Sequence, residues 1–154
     1  MTSKFRFESL LKIRETERNE KKNAFLEAQN AVQEIQAVID QCKLELASNQ
    51  ETVRNQRSST ILTSDELCQQ QRFHNLLLSR LQKLEHKLDS LSEQVEKKRN
   101  ELDEAIKEVK ILQTLKEKTE ERRLEEERRR SDKEMDELAT QKKMLERQKN
   151  LKPK

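Results

Sequence analysis

Apolar residues recur along this chain in two long runs of alternating four- and three-residue steps. In the first run one row holds Phe7, Arg14, Lys21, Ala28, Ile35, Cys42 and Asn49, and its companion holds Leu11, Arg18, Phe25, Val32, Ile39, Leu46 and Val53. In the second run His74, Leu81, Leu88, Val95, Leu102 and Val109 alternate with Gln70, Leu77, Leu84, Leu91, Lys98, Ala105 and Leu112. Steps of this kind keep one stripe of a slightly underwound helix facing a partner helix, so they predict a left-handed coiled coil. The runs predict helices over about 4–57 and 65–150.

Between them, from Arg57 to Ser64, lies the chain's one cluster of serines and threonines, whose hydroxyls compete with helical hydrogen bonds. This predicts a tip over about 58–64, centred near Thr60. Thr63 and Glu66 then have the spacing of a capping box, in which hydroxyl and carboxylate each satisfy the other residue's amide. A short connection favours antiparallel neighbours, so the two helices are expected to fold back on each other within one chain. That register sets Leu46 against Leu77, Ile39 against Leu84, Val32 against Leu91 and Leu11 against Leu112. The competing arrangement, a parallel dimer of one long rod, would carry the 57–64 interruption at its centre. In the hairpin register, residues from about 120 onward have no partner helix and overhang.

Composition sharpens this picture. The 154 residues include no glycine, and the single proline is Pro153. Glycine supplies the unusual backbone angles of tight turns and phosphate loops, and proline stops helices. Their absence permits long uninterrupted helices and leaves nothing from which to build a nucleotide cradle. Charged residues make up 41%, hydrophobic residues 31% and aromatics 3%, which fits an all-α coiled coil and not a compact domain around one large core. Periodicity argues against the disorder that such polarity could otherwise indicate. No apolar run approaches the ~20 residues that cross a bilayer, and no signal-peptide pattern opens the chain. Cys42 and Cys68 are too few for a disulfide framework, which suits a reducing, cytoplasmic setting.

Residues 1–115 hold 19 basic and 19 acidic side chains, whereas 116–154 hold 14 and 11, so the net +3 lies in the tail. Acidic residues interleave the excess and no aromatic there can stack on a base, so nucleic acid is not an expected partner. Pairs such as Glu125 with Arg129 and Glu126 with Arg130 predict a solvated helix in this stretch. Beyond it Met135, Leu138, Ala139 and Leu145 form a short apolar stripe.

Two-helix packing encloses no pocket in which catalytic groups converge. His74 reads as a core-edge residue beside the tip, His86 as solvated, Cys42 as a small core residue and Cys68 as a free thiol. We find no catalytic constellation, no metal ligand set and no cofactor motif. What stands out is apolar excess. Phe73, Leu76 and Leu78 fall off the two rows that hold Leu77 and Leu81. Phe73 either folds over the tip or stands exposed as an anchor for a partner. Phe5 and Phe7 raise the same question at the other end, where an uncovered apolar end implies a docking surface.

Taken together, these residues resemble the FliJ family of bacterial flagellar type III export. The opening Phe7-Glu8-Ser9-Leu10-Leu11-Lys12-Ile13-Arg14 looks like the family's Phe-x-x-Leu-Leu-x-x-Arg start, and Gln69-Gln70-Gln71-Arg72-Phe73 continues the likeness. Lys133-Glu134-Met135-Asp136-Glu137-Leu138-Ala139 resembles the family's C-terminal signature and is the most specific segment. The resemblance implies an antiparallel coiled coil similar to the central stalk of rotary ATPases. Such a protein binds the ring of the export ATPase FliI, promotes its assembly and activity, and contacts the export gate protein FlhA. Some members also handle export chaperones. Carried onto this chain, the resemblance assigns the ring contact to Phe5, Phe7, Leu10 and Leu11 with Met135, Asp136, Glu137 and Leu138. It assigns the gate contact to Phe73 and Leu77. It further implies no enzymatic activity and a place at the inner face of the cell membrane, held there through partners. The alternatives are a coiled-coil scaffold without an ATPase partner and the related stalk of an injectisome.

Overall fold

A computed structural model describes residues 4–59 and 62–151; the expected tip residues Thr60 and Ile61 lie outside this range, as does Pro153. The described residues form two helices and no strand, α1 over Glu8–Ser59 and α2 over Ser64–Asn150, packed together as an antiparallel hairpin.

Both ends of α1 depart from the expected 4–57, and side chains explain each shift. The amide of Glu8 donates to the carbonyl of Phe5 at 3.1 Å and that of Leu11 to Phe7 at 2.9 Å, so Phe5–Phe7 form a lead-in turn. The Phe5 and Phe7 rings meet edge-on with centroids 5.8 Å apart. Residues two apart do not face each other on a helix, so this contact belongs to the turn. At the other end, the Ser58 and Ser59 hydroxyls donate to the carbonyl of Asn55 at 2.9 and 2.8 Å. The hydroxyls read as breakers thus bond back onto the preceding turn of the helix, and α1 runs two residues further than expected.

The start of α2 follows the capping-box expectation. The Thr63 amide donates to the Glu66 carboxylate at 3.1 Å, and the Glu66 amide donates to the Thr63 hydroxyl at 3.4 Å. Two orphan amides of the first turn are satisfied reciprocally.

The chain divides into two compact units, one of residues 1–14 with 107–154 and one of residues 15–106. In the second unit Ile39, Cys42, Leu77 and Ala105 are buried, and the other seam positions of both helices are half-buried apart from Lys21, which is exposed. The register there is seen where the Cys42 thiol approaches the Leu77 carbonyl at 3.8 Å and where the Gln70 amide donates to the Gln56 side-chain carbonyl. In the first unit Leu11 and Val109 are buried, and Lys116 pairs with Glu8 at 2.9 Å and Arg14 with Glu108 at 3.2 Å. From Gln113 to Leu151 every residue is exposed except Arg123, so the overhang has no covered face.

Candidate docking surfaces

In the first unit the side chains expected at a ring contact separate into inner and outer sets. Leu11 is core and Phe5 is half-buried, while Phe7 and Leu10 are exposed. The Arg6 guanidinium lies 5.7 Å from the centre of the Phe7 ring, a cation over an aromatic face. The lead-in turn therefore presents a compact apolar end with a positive charge on it.

Met135, Asp136, Glu137 and Leu138 are all exposed on α2, with Met135 at 64% and Leu138 at 59%. The three-residue step between them places both apolar side chains on one face. At ~1.5 Å per residue, Met135 lies roughly 28 Å further along α2 than Lys116, so the opening turn and the tail stripe are separate surfaces. Between them Arg123 donates to Glu120 at 2.6 Å and also pairs with Glu127, and Arg129 pairs with Glu125 at 2.6 Å. The hydrogen bond from Arg123, with its nearby charge, holds the Glu120 carboxyl below the usual carboxylate range. The same hydrogen bond and charge raise the Arg123 guanidinium. These pairs keep an apolar-poor stretch helical without a partner.

In the second unit the expected gate pair is split. Leu77 is 3% exposed and belongs to the core, whereas Phe73 is 48% exposed. Phe73 does not fold over the tip. It stands on the flank of the hairpin beside a shallow groove lined by Gln41, Leu44, Glu45, Ser48, Asn49 and Thr52 of α1. Leu76 and Leu78 are exposed as well. Sequence reasoning passed over Leu44, Ile111 and Leu115, all exposed. The available signal was their departure from the seam rows, the same signal that singled out Phe73.

The model of a family described as the flagellar FliJ protein matches residues 3–148. The chain belongs to the FliJ family. It is thereby a flagellar protein associated with type III export. No curated protein matches it. Among solved structures, that of a proposed YscO homolog, CT670 from Chlamydia trachomatis, is similar at 23% identity and a TM-score of 0.45, over 96% of this chain and 99% of that one.

Among the described residues no helix is long and apolar enough to cross a membrane, and no three His, Cys, Asp or Glu side chains are placed to hold a metal ion. Cys68 is exposed and Cys42 buried, as their positions off and on the seam lead one to expect.

Proposed function

We propose that this FliJ family member works as a stalk-like rod that binds the ring of the export ATPase FliI, promotes its assembly and activity, and links it to the export gate protein FlhA. Membership of the family carries the reading, and the exposed apolar ends of the first unit support it. Phe7 and Leu10 at the opening turn, with Met135 and Leu138 on the overhang, supply surface to ring subunits, flanked by Asp136 and Glu137. Leu11 supports that end from the core, and Phe5 holds the turn through its ring contact with Phe7. A stalk that alters a ring's activity must contact its subunit states unequally. The gate contact falls to Phe73, with Leu77 beneath it fixing the helix. Export chaperones are further candidate partners, and the protein sits at the inner face of the cell membrane through these associations.

Binding to the purified ATPase tests this. Surface-immobilised FliI is expected to retain the native chain. It should bind a Phe7→Ala, Leu10→Ala, Leu138→Ala variant at least about tenfold more weakly, as expected when central apolar anchors are truncated. Equal retention of both proteins would remove the assigned contacts, and no retention of either would favour a scaffold without an ATPase partner.

A further inference from the structure

We propose that one flank of the first unit is a docking surface for an acidic amphipathic helix of a partner protein. The Lys116–Glu8 and Arg14–Glu108 pairs fix the register of α1 on α2 in this unit. That register brings Leu10 level with Leu115, and Ile13 level with Ile111. Leu10 immediately precedes Leu11 of the inner row, and Leu115 immediately precedes Lys116, the next position on the row of Val109. In an antiparallel pair, positions just before the same seam row of each helix fall on the same side, so Leu10 and Leu115 share a flank. Ile13 follows Leu10 by three residues and Ile111 precedes Leu115 by four, which puts both on that flank one row further out.

All four are exposed, Ile13 to 55% and Ile111 to 67%. The surface is therefore two aliphatic pairs, one on each helix, with the inter-helix groove between them. Such a groove takes a third helix presenting apolar residues at three- and four-residue steps. It is an apolar face that nothing in the described chain covers.

Charge selects the occupant. Lys118 and Arg122 border the flank at helical spacing on α2, Arg6 lies in the lead-in turn just before α1, and Glu108, two turns from Leu115 on the same line, is held by Arg14. Over residues 4–14 and 107–124 the chain has ten basic and five acidic side chains, a larger excess than the +3 of the whole sequence. An apolar groove with a basic rim is complementary to a helix whose apolar stripe is edged by Asp and Glu. A lipid surface is less suited, because insertion favours aromatic and longer apolar faces than two aliphatic pairs. The proposal goes beyond the ATPase contact and shares only Leu10 with it.

The test uses the full chain and a labelled synthetic peptide with leucines at i, i+3, i+4 and i+7 and glutamates elsewhere, beside a twin carrying lysines for glutamates. Fluorescence anisotropy is expected to show the acidic peptide binding at least about tenfold more tightly than the twin, and more weakly as salt rises. Ile13→Ser, Ile111→Ser, Leu115→Ser together should abolish that preference while circular dichroism stays helical. Should that variant lose helicity, Arg6→Glu, Lys118→Glu, Arg122→Glu replaces exposed charges only and is expected to reverse the preference. Equal binding of the two peptides, or undiminished binding by either variant, would overturn the proposal. So would loss in the serine variant of a concentration-dependent doubling of mass, which would make the flank a contact between copies. Stronger binding to phosphatidylglycerol vesicles than to the acidic peptide, lost in the same variant, would reassign it to a membrane.

Discussion

The Lys116 ammonium bridges both carboxylate oxygens of Glu8, at 2.9 and 3.2 Å, at the level where α1 begins. Everything on α2 beyond that level is overhang. Both side chains are about a third or more exposed, so the pair marks the register without enforcing it. Glu8→Gln is expected to cost less than ~1 kcal/mol in urea unfolding, the range of surface ion pairs. A larger loss would mean that the register depends on this one contact.

The thin core should instead be sensitive to single truncations. Ile39 is 1% exposed, and Ile39→Ala is expected to destabilise by about 2–4 kcal/mol through lost burial and a residual cavity. Leu44, five residues on and largely exposed, should change stability by less than about 0.5 kcal/mol when made alanine. The contrast between the two midpoints in urea checks the seam assignment.

The Thr63–Glu66 box predicts a local effect at the start of α2. Thr63→Ala is expected to cost about 1 kcal/mol, typical of a lost helix cap. Amide hydrogen exchange should quicken at Glu66 and Leu67, whose amides are held by Thr63. Exchange deep in the helix, near Leu84, should not change.

Acid should loosen the overhang around Arg123. Glu120 has its folded pKa depressed by the hydrogen bond from Arg123, so its contribution is present above the ordinary carboxylate value and is lost as pH falls through the lower folded value. Arg123 is raised, so its side of the pair is lost only in strong alkali. Carboxyl NMR is expected to show Glu120 titrating below the ordinary range of an unpaired glutamate. Arg123→Ala should move that midpoint upward. An unchanged midpoint would show that the pair does not form in solution.

The heptads made the helical pairing legible because each buried side chain sits at a fixed step from the last. Cys42, Ile39, Leu77 and Val109 could be assigned to the core from spacing alone. The ends were less legible. The helical start near Lys4 gave way to a turn because Phe5 and Phe7 pack on each other, a contact that periodicity does not encode. Phe73 was open between a tip plug and an anchor, since its position off the seam fits either, and only its place beside Leu44 distinguishes them. The Leu10–Leu115 flank depends on pairing two distant segments, so neither segment reveals it separately.

The central claim, that this FliJ family member acts on the export ATPase, is tested most directly by the ATP hydrolysis rate of the cognate enzyme as the full chain is titrated in. The account predicts saturable stimulation that is lost with Phe7→Ala, Leu10→Ala, Leu138→Ala while the variant remains helical. Stimulation by the variant equal to that of the native chain, or no effect of either on an assembled ring, would contradict it.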